Sequence, residues 1–117
     1  MVSVAEPHVQ SILLGDAIEH APAAVLVADD EGRYVAVNAF ACAMLGYERE
    51  ELLDMSITDV AGPQARRELE ELVVARSLAG TTFLRRKDGE MLTFAYRAGE
   101  TQIAGMTYYV AVGWPAE

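Results

Sequence analysis

AAVLVADDEGRYVAVNAFACAMLGY, residues 23–47, is the stretch whose reading decides the fold of this chain. The apolar run from Ala23 to Ala28 meets the cluster Asp29-Asp30-Glu31-Gly32, and Tyr34-Val35-Ala36-Val37 is apolar again. Short apolar runs on either side of an acidic, glycine-containing turn read as paired strands, here 23–28 and 33–37. Asn38 then suits the start of a helix, because its side-chain oxygen can accept from the exposed amides of a first turn. That helical segment, 39–45, ends at Leu45-Gly46-Tyr47. Far downstream, RRKDG at 85–89 marks a second hairpin.

Working outward, Val9, Ile12, Leu13, Ala17 and Ile18 recur at helical spacing and predict a short amphipathic helix over 9–21, which Pro22 keeps from continuing. After the opening motif, short helices are expected at 48–53 and 57–60. Pro63 starts the clearest helix, running to Leu78, with Leu69, Leu72, Val73 and Leu78 on one face. Arg66/Glu70 and Arg67/Glu71 lie at i,i+4 on another face, and Gly80 marks the end. Three strands follow, 81–86, 91–98 and 103–114, joined by Asp88-Gly89 and by a loop over 99–105. Five strands with helices between the second and third describe an α+β plan: a five-stranded antiparallel sheet with helices gathered on one face. Without repeats, low-complexity tracts or linkers, the chain divides only into an N-terminal cap helix, 1–21, and a core, 22–117.

Composition bounds what such a domain does. At 117 residues the chain is long enough to bury a core without staples. Hydrophobic residues make up 52% and charged residues 23%, a globular balance. The apolar stretches are too short to span a membrane, and no basic-then-apolar leader opens the chain. A formal charge of −9 repels phosphate backbones, which argues against direct nucleic-acid binding. The basic triplet Arg85-Arg86-Lys87 beside a turn reads as a solvated strand end that guards against stray pairing. A lone cysteine, Cys42, fits a reducing cytosol.

In their order and spacing, Asp29 to Gly32, Val37-Asn38, Leu45-Gly46-Tyr47, Arg49-Glu50-Glu51-Leu52 and Arg85 to Gly89 resemble a PAS domain, the sensory and interaction module of bacterial signalling proteins. The resemblance runs from Asp16 to Trp114. It implies a ligand pocket between the helices and one face of the sheet, with the other face covered by an N-terminal helix or a partner subunit. On the last strand Tyr108, Val110, Val112 and Trp114 alternate with Tyr109, Ala111 and Gly113. Size alone would turn the first set inward; the resemblance turns the second toward the pocket. On the preceding strand Leu92, Phe94, Tyr96 and Ala98 form the inward set, opposite Leu69, Leu72 and Val73.

The candidate ligand-binding residues are therefore Met44, Ile57, Leu69, Leu72, Val73, Phe94, Tyr96, Tyr109 and Ala111. The hydroxyls of Tyr96 and Tyr109 are candidate anchors for a carboxylate or carbonyl at one end of an apolar cavity. The candidate interface residues are Val9, Ile12, Leu13, Tyr108, Val110, Val112 and Trp114. Periodicity alone equally describes a solid core in which these stripes interdigitate, and small residues such as Ala111 and Gly113 opposite Phe94 and Tyr96 either fill or leave space.

The light-sensing branch of the family carries a flavin-linking cysteine in an Asn-Cys-Arg motif after the Glu-Glu-Leu turn. Here that stretch reads Met55-Ser56-Ile57-Thr58-Asp59, with Ile57 at the cysteine's place, so covalent flavin chemistry is disfavoured. Cys42 has no Lys, Arg or His within three positions and reads as a core thiol. The haem-binding branch takes an axial histidine from the long helix, which has none here; His8 and His20 precede the core. Paired Cys/His spacing for zinc and a phosphate-cradling glycine loop are also missing from the sequence.

No enzyme is expected: Asp29, Asp30 and Glu31 form a hydrated turn, and Ser11, Ser56 and Ser77 show no nucleophile elbow. The expectation is a cytosolic bacterial sensory domain that binds an apolar or amphipathic small molecule non-covalently, as a homodimer. A ligand-free dimerisation module is the alternative. Family members usually leave the last strand through Asp-x-Thr, whereas this chain reads Gly113-Trp114-Pro115-Ala116-Glu117. A fragment of a larger regulator and a small protein acting through its surface are both consistent with that ending, and the output remains unassigned.

Overall fold

The computed structural model describes residues 3–116. Its elements are α1 (Pro7–Glu19), β1 (Ala24–Asp29), β2 (Tyr34–Val37), α2 (Ala39–Leu45), α3 (Arg49–Leu52), α4 (Ile57–Ala61), α5 (Ala65–Ala75), β3 (Ser77–Arg85), β4 (Met91–Ile103) and β5 (Met106–Ala116). The strands form one antiparallel sheet in the order β2-β1-β5-β4-β3. The α+β plan with helices between the second and third strands is the observed one. Among the described residues, no helix is long and apolar enough to cross a membrane.

The opening motif folds as its residues dictate. Asp29 Oδ1 accepts from the amides of Glu31 and Arg33, both at 3.0 Å, closing the β1–β2 turn. Asn38 is 4% exposed and all of its polar groups are used. Its Oδ1 accepts from the amides of Ala41, capping α2, and of Val25 on β1. Its Nδ2 donates to the carbonyls of Ile18 and Ala23, which fastens the end of α1 to the sheet. Leu45, Leu52 and Val60 are sealed beneath α2, α3 and α4, and full burial of such side chains contributes about 1.5–3 kcal/mol each.

The second hairpin is tied to this unit. The Lys87 amide donates to the Leu45 carbonyl (2.9 Å), and Lys87 Nζ pairs with Glu51 Oε2 at 2.8 Å. Arg86 pairs with Asp88 within the turn. Lys87 of the basic triplet thus closes an edge hairpin onto α2 and α3.

Several element bounds and pairings differ from the expectation. The long helix is Ala65–Ala75 rather than 63–78: Arg76, not a glycine, takes the left-handed conformation (φ 65°) that ends it. Gly80 lies inside β3 opposite Tyr96, and Leu78 is a strand residue opposite Ala98. Among the described residues, neither Arg66/Glu70 nor Arg67/Glu71 closes to ion-pair distance.

The expected 99–105 loop is mostly strand. Ala104 (φ 52°) and Gly105 (φ 78°) alone turn the chain, and left-handed conformations at both positions match the twist of the flanking strands. β5 also runs on through Pro115, because its pairing with β1 stops at Gly113 and one flank is free there.

Of the two covers expected for the outer face, an N-terminal helix or a partner subunit, α1 supplies little. None of its residues is buried; Ile12, Leu13, Leu14 and Ile18 are about half exposed, as is Trp114 on β5. Only its C-terminal turn approaches the sheet, where Gly15, Ile18 and Glu19 border a hollow against Val25, Val27 and Ala36. Glu19 also pairs with Arg49 of α3.

Candidate functional site

The inner face of the sheet is set by the parity of β4 and β5. Tyr109 and Gly113 are buried while Val112 and Trp114 are exposed, so the smaller set faces the helices. The reason lies at Gly113. A Cβ there would come within 2.3 Å of the Ala95 carbonyl oxygen and 2.6 Å of the Phe94 ring, so the ring occupies the space a side chain would take. Phe94 stacks with Tyr96, two residues along β4, with ring centroids 6.0 Å apart and planes 7° from parallel.

Beyond this filled region the sheet and helices part around a cavity of about 100 Å³. Ala61 of α4 and Ala65, Leu69 and Leu72 of α5 form one wall; Phe94, Tyr96 and Ala98 of β4 and Tyr109 and Ala111 of β5 form another. β1 adds Leu26 and Ala28, β2 adds Tyr34, and β3 adds Leu78, Thr82 and Leu84. Ile57, Ala65 and Leu69 separate this cavity from an outer groove of about 440 Å³ that includes Asp30, Glu31, Arg66 and Glu70.

Of the candidate ligand-binding residues, Ile57, Leu69, Leu72, Phe94, Tyr96, Tyr109 and Ala111 are brought together on this cavity. Met44 and Val73 are not. Met44 is buried in the solid core under α2, and Val73 is 51% exposed. On α5 the inward stripe is Ala65, Glu68, Leu69 and Leu72, a repeat of three, four and seven residues, which turns Val73 to the outer groove. Val110, assigned to the outer face, also borders the cavity where β5 passes between Tyr109 and Ala111. Of the interface candidates, Ile12, Leu13, Val112 and Trp114 are exposed, and Val9, Tyr108 and Val110 are half-buried.

Glu68 was not among the candidates. It is the one charged residue on the cavity wall among the described residues. Tyr96 Oη donates to Glu68 Oε2 (3.2 Å) and Thr82 Oγ1 donates to Oε1 (3.3 Å). Burial, and then the negative charge of Glu68 beside it, pushes the Tyr96 phenol up to about 12. The legible signal was a carboxylate interrupting an apolar stripe, at i+3 from Ala65 and i−4 from Leu72. Leu78 was placed on the long helix rather than on β3, and Thr82 and Leu84, inside the expected strand, were not assigned a face.

Cys42 packs at the edge of the core on α2. Burial pushes its thiol up, and the positive charge of Arg49 only partly offsets this, so it stays a protonated thiol and a poor nucleophile. Among the described residues, no three His, Cys, Asp or Glu side chains are grouped to hold a metal ion.

The same architecture occurs in known proteins. A PAS domain from a two-component sensor histidine kinase superposes with a TM-score of 0.85 at 19% identity, over 95% of this chain and all (100%) of that one. The PAS domain of an HTR-like protein from Haloarcula marismortui gives 0.81 at 22% identity, over 92% of each chain. A PAS domain from Desulfitobacterium hafniense gives 0.77 at 25% identity, over 86% of this chain and 99% of that one. No curated protein matches the sequence at a significant level. The family model described as PAS fold matches residues 18–108, from the end of α1 to β5, and the chain therefore belongs to the PAS family.

Proposed function

We propose that this PAS domain is a sensory module that binds a small, mainly apolar molecule non-covalently and passes its occupancy to a partner surface through the sheet. The observation that carries the reading is the cavity between α4, α5 and the inner face of the sheet, lined by aliphatic and aromatic side chains. The domain acts by binding rather than by catalysis. Its setting is a cytosolic bacterial regulator, a reading supported by the free thiol of Cys42 and by similar domains coming from sensor histidine kinases.

A ligand shifts such a module only if it binds one conformer better than another. Here α5 meets the sheet through the single stripe Ala65, Glu68, Leu69 and Leu72, so a ligand seated beneath it changes how α5 rests on β3 and β4.

The test is thermal unfolding of the full chain against a panel of small aromatic and aliphatic compounds, with Ala111→Leu as the filled-cavity control. A true ligand at a hundred times its Kd stabilises by about 2.7 kcal/mol, so the wild-type Tm rises and that of the variant does not. Unchanged Tm across the panel, or equal rises in both proteins, counts against the site.

A second reading rests on a separate observation. The apolar side chains Ile12, Leu13 and Leu14 of α1 and Val112 and Trp114 of β5 stand exposed. A homodimer that buries them removes that apolar surface from water, with or without a ligand.

A further inference from the structure

The cavity has a polar end at Glu68, and the chemistry of that end is one-sided. The hydroxyls of Tyr96 and Thr82 both spend their protons on Glu68, one on each carboxylate oxygen. A carboxylate has about four acceptor sites, so roughly half of those of Glu68 remain, and the hydroxyl oxygens keep lone pairs of their own. This end of the wall therefore offers acceptors and no free donor. No Lys, Arg or His lines the cavity among the described residues, and Glu68 makes no ion pair within that set.

The surroundings reinforce the sign. Tyr34 and Tyr109, the other phenols on the wall, are pushed up by burial and then by carboxylates nearby, Asp59 for Tyr34, and Glu100 and Asp30 for Tyr109. The chain as a whole carries −9, and the outer groove adds Asp30, Glu31 and Glu70 against one cation, Arg66. Phe94, Tyr96 and Tyr109 supply aromatic rings, whose faces attract cations. The expected use of Tyr96 as an anchor for a carboxylate is thereby reversed, since Glu68 would repel one.

Resting on the sensory reading above, we propose that the ligand is a small primary amine with an apolar body, its ammonium group accepted by Glu68 and its body lodged among Leu69, Leu72, Phe94 and Ala111. Size points the same way. Apolar cavities of about 150 Å³ take benzene, whereas drug-sized ligands need roughly 300–1,000 Å³. The cavity of about 100 Å³ is smaller than either and suits a short alkyl body.

The experiment is an amide NMR titration of the full chain at neutral pH with propylamine, 1-propanol, xenon and propionate, on the wild type and on Glu68→Gln. Propylammonium is expected to bind about tenfold or more tighter than 1-propanol, as hydrogen bonds to charged groups allow, while propionate does not bind. In Glu68→Gln the ammonium preference disappears while xenon binds as before, which also shows that the variant's cavity is intact. Propionate binding as well as propylammonium, or an ammonium preference that survives in Glu68→Gln, overturns the proposal. Xenon binding with no ammonium preference overturns it while leaving the apolar site standing. Failure of all four probes overturns both.

Discussion

Asn38 shows how much of this fold rests on single side chains. It joins the end of α1, β1 and the first turn of α2 through four hydrogen bonds made at a buried position. Asn38→Ala would strip the α2 cap and leave the carbonyls of Ile18 and Ala23 without that donor. The expected loss is about 2–4 kcal/mol of unfolding free energy, measured by urea denaturation. Gly113 works by what it lacks. Gly113→Ala forces its new methyl against the Ala95 carbonyl and the Phe94 ring, and overpacking of this kind costs about 1–3 kcal/mol. A Gly113→Ala protein as stable as wild type would show that Phe94 is free to move aside.

These residues also show where the sequence was readable. The cap at Asn38 announces itself locally, because a polar residue between an apolar strand and an apolar helix has few other uses. The closeness of Gly113 to Phe94 is set by strand register across β4 and β5, which no local pattern encodes. Glu68 lies between these cases: its place on the inward stripe was legible from spacing, but its hydrogen bonds depend on Thr82 and Tyr96, 14 and 28 residues away.

Elements repeat the contrast. β1, β2, α2, α3 and α4 lie within a residue of their expected bounds, since each is framed by a turn cluster or a cap. The end of α5 and the lengths of β3, β4 and β5 were misjudged because Arg76, rather than a glycine, ends the helix in left-handed backbone, because Ala104 and Gly105 alone make the β4–β5 turn, and because pairing with a neighbour extends a strand through polar residues. The hairpin at RRKDG was legible as a turn, but its attachment to α3 was not.

That attachment gives a pH prediction. The hydrogen bonds from Lys87, and then the one from the Glu48 amide, hold the Glu51 carboxyl below its ordinary range, and the same pair raises Lys87. A folded-state pKa below the unfolded one stabilises at pH above the ordinary carboxyl value, and the contribution fades as pH falls through the lowered value. Wild type should therefore be modestly more stable than Glu51→Gln at neutral pH, and the two should converge in acid. Urea titrations at a series of pH values check it; a gap that widens on acidification contradicts the assignment.

At the scale of the molecule, the domain presents an inner face with a cavity and an outer face left bare. Exposed Leu13 and Trp114 lead to an expected homodimer at micromolar concentration by sedimentation, with Leu13→Glu shifting the population toward monomer. A wild-type monomer under those conditions removes the dimer reading but does not bear on the cavity. The two faces share β5, whose Tyr109 and Ala111 line the cavity while Val112 and Trp114 face out, so a ligand that alters the inner packing acts on the strand that carries the outer surface.

Native mass spectrometry of freshly purified full chain tests the sensory claim most directly, with the Ala111→Leu protein measured alongside. A discrete small added mass is expected on the folded wild type, lost on denaturation and absent from the filled-cavity variant. Identical bare masses for both proteins, before and after incubation with the small-molecule panel, would contradict it.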